Sequence, residues 1–173
     1  MRGVVDIGTN SVRLLITSST EVVERQMIIT RLGRGVDQDG NLSREAMSAT
    51  VNALRQFKEV VQSYSVSPIV AATSAVRDAA NRDEFTAMVK EELGWAVRVL
   101  TGEDEARFSF QGALTALKGC LPSGNAAVVD IGGGSTEICG GTSQGELITG
   151  GSVQVGAVRM TERHITGHPI LPS

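Results

Sequence analysis

Short apolar runs at about 3–7, 12–18 and 21–30 are separated by small, polar and glycine residues, a pattern that predicts three strands joined by tight turns. The period then changes. From Ser43, Met47, Val51, Leu54, Phe57 or Lys58, Val61 and Tyr64 recur at three- and four-residue spacing, which predicts a helix with one buried face. Ser43 suits its N-cap, and Glu45 lies in its first turn. Pro68 to Thr73 (PIVAAT) reads as a fully buried strand. A second helix is expected from near Asn81, with Glu84 three residues on as in a capping box. Phe85, Met88, Val89 and Leu93 form its stripe, and Gly94 fits its C-cap. Residues 96–100 predict another strand. A third helix over about 103–118 would bury Ala106, Phe110, Ala113, Leu114 and Leu117.

The opening strand has a second copy. Val4-Val5-Asp6-Ile7-Gly8 recurs as Val128-Val129-Asp130-Ile131-Gly132, 124 residues later. Each copy runs into a small-polar turn, Thr9-Asn10-Ser11 or Gly133-Gly134-Ser135, and then into another potential strand. A repeated strand–turn–strand unit implies a duplicated fold. The order βββαβαβα, a mixed sheet with helices on its faces, is that of a ribonuclease-H-like or actin-like lobe. The second copy offers strands at about 126–131, 135–140 and 147–155 and a helix from Gly156. The expected division is therefore 1–122 for a first lobe and 123–173 for the opening part of a second, cut short.

Composition adds three constraints. Hydrophobic residues make up 41% and charged residues 20% of the 173, which excludes a wholly disordered chain. No apolar run reaches the roughly 18 residues of a membrane helix, and the first apolar run is too brief for a signal-peptide core, so a cytoplasmic location is expected. The formal charge of −3 argues against a broad nucleic-acid surface. Cys120 and Cys139 show no ligand spacing, and reduced, buried thiols are expected. Glycine is in local excess: nine of 20 lie between Gly132 and Gly156, while aromatic residues are 3% of the chain, which favours backbone over stacking contacts to a ligand.

Three constellations carry candidate chemistry. Asp6 to Ser11 and Asp130 to Ser135 place an aspartate at a strand end, where it can hold a hard cation, followed by small residues whose N–H groups can turn toward phosphate. Either copy alone is explained by a capped hairpin. The pair is better explained by a polyphosphate clamp. Neither fits the Walker pattern. Thr101-Gly102-Glu103-Asp104-Glu105-Ala106 puts three acids where a strand hands over to a helix. They suit the helix dipole, and a carboxylate there could also deprotonate water beside a held phosphate. Arg77 follows a buried strand and either pairs with Asp78 or forks onto phosphate oxygens. Glu137, seven residues after Asp130, is a second cation carboxylate or a solvated strand residue. His164 and His168 are assigned no role.

Taken together, DIGTNSVRLLI (6–16), ATSAVRDAANRDEF (72–85), TGEDEARFSFQGA (101–113), VVDIGGGSTEI (128–138) and SVQVGAVRMTE (152–162) resemble the exopolyphosphatase/guanosine pentaphosphate phosphohydrolase (Ppx/GppA) family. The resemblance implies an actin-like fold and removal of the terminal phosphate from inorganic polyphosphate or guanosine pentaphosphate, with a divalent cation, commonly Mg²⁺. It implies Glu105 as the carboxylate that activates water, and Asp130 and Glu137 as cation ligands with Asp6 a further candidate. It implies Arg77, Gly8, Thr9, Asn10, Ser11, Gly132, Gly133, Gly134 and Ser135 as phosphate binders. Asp104 stands where the family usually carries a glutamate. The alternatives are a non-catalytic module that binds polyphosphate or guanosine pentaphosphate, and an actin-like sugar kinase, which would need an adenosine pocket. The short second copy predicts weak or no activity in this chain alone. It also predicts that its strands pack on the first lobe or on a second copy in a homodimer.

Overall fold

The computed structural model describes residues 1–117, 120–165 and 167. The three expected opening strands are β1 (Arg2–Ile7), β2 (Ser11–Thr17) and β3 (Val22–Ile29). A short helix α1 (Val36–Asp39), unmarked by any periodicity, precedes α2 (Arg44–Ser63). Ser43 caps α2 as expected, its hydroxyl accepting from the Ala46 N–H at 3.2 Å. Then come β4 (Pro68–Ala72), a five-residue helix α3 (Ser74–Asp78), α4 (Arg82–Leu93) and β5 (Val97–Val99). The remaining elements are α5 (Gly102–Ala116), β6 (Asn125–Ile131), β7 (Thr136–Thr142), β8 (Leu147–Val153) and α6 (Ala157–His164).

The chain divides into two compact units, Met1–Val99 and Leu100 onward. In the first, the sheet order is β3-β2-β1-β4-β5, with β1, β2 and β3 antiparallel and β4 and β5 parallel to β1. This mixed sheet is the actin-like lobe. Its core sits on one face, where Val5, Ile7, Val12, Leu14 and Ile16 meet Met47, Val51, Leu54 and Phe57 of α2 and Phe85, Val89 and Leu93 of α4. Burying each such side chain contributes about 1.5–3 kcal/mol.

Within this unit the opposite face of the sheet has no helix on it. β4 is accordingly not fully buried: Val70 and Ala72 point into the core, whereas Ile69 is 67% exposed. A continuous apolar run cannot reveal that one side of the sheet is bare. The capping box at Asn81 is also absent. Asn81 instead spans the backbone of Leu42, its Oδ1 accepting from the N–H at 2.8 Å and its Nδ2 donating to the carbonyl at 3.0 Å. Tying two loops together satisfies more polar groups than capping one helix would.

In the second unit β6, β7 and β8 form an antiparallel sheet, and α5 packs on it. The compact unit that includes α5 begins at Leu100. Ala106, Phe110 and Leu114 of α5 meet Cys139, with Ala126, Val128 and Leu147 packed around them. Ala113 is only half-buried and Leu117 is exposed. A helical stripe fixes which face is buried, but not which sheet receives it. Thr101 caps α5, accepting from the Asp104 N–H at 3.1 Å. Cys139 is buried as expected, but Cys120 is exposed. No helix of the described residues is long and apolar enough to cross a membrane.

Candidate functional site

The two loops of the repeat fold alike. Gly8 N–H donates to the Ser11 carbonyl at 3.0 Å, and Gly132 N–H to the Ser135 carbonyl at 2.9 Å. Cross-strand pairing is also equivalent: Asp6 faces Arg13, and Asp130 faces Glu137. The duplication is thus structural as well as sequential.

In the first unit, the loop from Gly8 to Ser11 is anchored from two sides. The Thr9 carbonyl accepts from Gly33 N–H at 2.8 Å, and the Asn10 carbonyl accepts from the N–H groups of Thr30 and Arg31. Thr9 Oγ1 and Ser74 Oγ share a buried hydrogen bond of 2.9 Å, which ties the loop to the start of α3. Arg77 stands on that same short helix, so the sequence-predicted phosphate loop and arginine belong to one assembly. Arg77 lies 3.7 Å from Asp78 and is 21% exposed, so it is more enclosed than a surface pair. Asp6 lies 3.8 Å from Arg13 in an exposed ion pair, whereas Asp130 faces the carboxylate of Glu137.

In the second unit, Glu105, Asp130 and Glu137 are organised by α5. Asp130 and Glu137 are cross-strand partners, so their side chains share a face of the sheet. Ser109 of α5 donates from Oγ to Asp130 Oδ2 at 2.5 Å. Ser152 of β8 donates from Oγ to Glu137 Oε1 at 2.7 Å. Gly102, at the start of α5, approaches Ser152 so closely that a Cβ there would lie 2.9 Å from the serine Cβ. Gly102, Glu105 and Ser109 are spaced i, i+3 and i+7, one face of a helix. Glu105 therefore projects from the face of α5 that meets Ser152 at one end and Asp130 at the other. Asp104 turns elsewhere and accepts from Arg107 Nη2 at 2.7 Å.

The Gly132 to Ser135 loop is clamped by α6. Ala157 N–H donates to the Gly132 carbonyl at 2.9 Å, and Val158 N–H to the Gly133 carbonyl at 2.8 Å. The buried Arg159 donates from Nε to the Gly134 carbonyl at 2.8 Å. A Cβ on Gly156 would come within 2.5 Å of Gly133, so only glycine lets α6 seat here. Ser135 is 1% exposed, and its Oγ has no hydrogen-bond partner among the described residues. Glu137 is 2% exposed. Burial and the carboxylates of Glu137 and Asp130 push the Cys139 thiol up from its ordinary value.

Sequence reasoning missed Ser74, Ser109, Ser152, Gly156 and Arg159. The last three lie inside the matched segment SVQVGAVRMTE, whose spacing marks a motif without marking a partner. It also read the local glycine excess as ligand contact. Part of that excess is packing: a Cβ on Gly141 would strike Phe110 at 2.6 Å. His164 ends α6 and is exposed, whereas His168 lies outside the described residues.

Residues 9–173 match the Ppx/GppA phosphatase family. The chain is 40% identical to Exopolyphosphatase 2 of Mycobacterium tuberculosis over 181 residues, covering 95% of this chain and 55% of that protein. The crystal structure of an exopolyphosphatase from Cytophaga hutchinsonii matches with a TM-score of 0.90 at 29% identity, over 98% of this chain and 55% of that one. The crystal structure of the Aquifex aeolicus Ppx/GppA family member matches with a TM-score of 0.77 at 33% identity, over 95% of this chain and 54% of that one. The chain thus spans about half the length of the relatives it matches.

Proposed function

The chain belongs to the Ppx/GppA phosphatase family, and we propose that it serves hydrolysis of the terminal phosphoanhydride bond of a polyphosphate chain. The substrate class is inorganic polyphosphate or guanosine pentaphosphate. The observation that carries this reading is the placement of Glu105 on the face of α5 that also meets Ser152 and Asp130. A general base needs to stand beside the held phosphate without being consumed in holding it.

Asp130 and Glu137 are the residues that would hold a divalent cation. The fit rests on the donor set. Buried Glu137 has one hydroxyl donor, and Ser135 Oγ, two residues earlier in the chain, has no hydrogen-bond partner among the described residues. Among the described residues no group of three metal-binding side chains occurs. The fit is that of two carboxylates to Mg²⁺, which keeps waters and takes one or two carboxylates together with substrate phosphate. When bound, the cation would neutralise charge on the phosphoryl oxygens.

The remaining work falls to the chain. The Gly132, Gly133 and Gly134 carbonyls are taken up by α6 and the Gly132 N–H by the Ser135 carbonyl, so the Gly133 and Gly134 N–H groups and the Ser135 hydroxyl would hold phosphoryl oxygens. Gly8, Thr9, Asn10, Ser11 and Arg77 of the first unit are proposed to bind phosphate in the same manner, with Arg77 as a planar fork. Glu105 would accept a proton from the attacking water as it approaches phosphorus in line.

The test is phosphate release by the 173-residue chain from each substrate with Mg²⁺, alongside polyphosphate binding. Glu105→Gln is expected to lower release by about 10²–10⁴-fold while binding persists. Equal release by parent and variant would remove Glu105 from the mechanism. Binding without release in the parent would favour a non-catalytic binding module.

A further inference from the structure

The two carboxylates assigned to the cation are each held by a serine from a different element. Ser109 comes from α5 and bonds Asp130 at 2.5 Å, while Ser152 comes from β8 and bonds Glu137 at 2.7 Å. Neither carboxylate has an arginine or lysine partner among the described residues. An ionised carboxylate as buried as Glu137 costs several kcal/mol unless it is paired or coordinates a metal. One hydroxyl does not offset that cost. Ser135, two residues ahead of Glu137 in the chain, adds a buried hydroxyl with no hydrogen-bond partner among the described residues. Ser135 and Glu137 are thus both buried and short of partners.

A single hydroxyl donor on one oxygen fixes the rotation of a carboxylate and leaves the other oxygen open. Rotation matters for a small hard cation, which demands near-octahedral geometry at short distance. Partners that orient a ligand typically contribute 10–100-fold to metal affinity. We infer that Ser109 and Ser152 are positioning residues, which fix the Asp130 and Glu137 carboxylates for a divalent cation. This rests on the reading above that those two carboxylates hold it. Ser152 has a second consequence. Its contact with Gly102 links the aim of Glu137 to the seating of α5, and so to Glu105.

Mn²⁺ serves as the probe, titrated into the metal-free 173-residue chain and followed by electron paramagnetic resonance. Ser109→Ala and Ser152→Ala are each expected to weaken Mn²⁺ binding by about 10-fold or more. Their thermal midpoints in a chelator should match the parent. Ser109→Thr, which keeps the hydroxyl, should restore affinity. Ser152→Cys, which keeps the size but donates weakly, should fall between serine and alanine.

Unchanged Mn²⁺ affinity in both alanine variants overturns the inference. So does a loss in Ser109→Thr equal to that in Ser109→Ala, or a fall in the chelated midpoint that accounts for the loss of affinity. Failure of the underlying reading looks different: Asp130→Asn and Glu137→Gln would then bind Mn²⁺ as the parent does.

Discussion

Asp6 and Asp130 hold the same place in the repeat, yet their cross-strand partners have opposite charge. On the proposed reading, Arg13 beside Asp6 would compete with a cation for its oxygens, whereas Glu137 beside Asp130 would add to the attraction. Sequence alone ranked both aspartates as candidates, because register rather than motif decides who faces whom. Asp130→Asn is therefore expected to weaken Mn²⁺ binding by roughly 10-fold or more, on the scale of ligand-sphere changes, and Asp6→Asn by clearly less. The same resonance titration checks it, and equal losses would put the two loops on one footing. Glu105 shows how much a single residue could disclose. Its place in a helical first turn was legible from Thr101 and the acids after it. Its relation to Asp130 was not, because that relation runs through Ser109, which lies in the segment TGEDEARFSFQGA without any sign of its partner.

At the scale of elements, α5 carries two faces with separate tasks. Ala106, Phe110 and Leu114 bury its apolar stripe, while Gly102, Glu105 and Ser109 line the side that meets the carboxylates. The core beneath it is small, so Phe110 dominates it. Phe110→Ala is expected to cost about 3–5 kcal/mol. That loss should strip amide-exchange protection from β6 and β7 and spare β1, β2 and α2, whose core belongs to the other unit. Hydrogen exchange read by mass spectrometry checks it, and a uniform loss across both units would show one cooperative body. Helix stripes were legible for α2 and α5, and the cap for α2, where Ser43 bonds as its position suggests, whereas the Thr101 cap of α5 was seen only in the structure. The short α1 and α3 were not, since one turn of helix leaves no period to read.

At the scale of the whole molecule, the repeat exposes an asymmetry. In the first unit α2 and α4 cover the face of β1 and β2 that carries Val5, Ile7 and Leu14. The equivalent face of the second sheet carries Val129, Ile131 and Ile138, all exposed, because α5 packs on the other side. Ile148 and Val153 of β8 are exposed as well. Apolar surface of this kind favours association, and sheet edges add to the tendency. The 173-residue chain is therefore expected to sediment above its monomer mass with rising concentration, and Ile138→Lys to shift it back toward monomer. A monomer at every concentration in analytical ultracentrifugation would show that the bare face is tolerated.

What the sequence determined by itself was everything carried by neighbours along the chain: strand and helix periods, the cap of α2, the βββαβαβα order, the duplication at 124 residues and the acidic and glycine-rich motifs. Those signals are local because backbone geometry repeats every two or 3.6 residues. What only the tertiary structure decided were choices among equals. An apolar stripe is complementary to any sheet with room, and the room under Phe110 comes from Gly141, thirty-one residues away. A serine hydroxyl will bond any acceptor in reach, and it is the packing of α5 and the register of β8 that bring Asp130 and Glu137 within reach of Ser109 and Ser152.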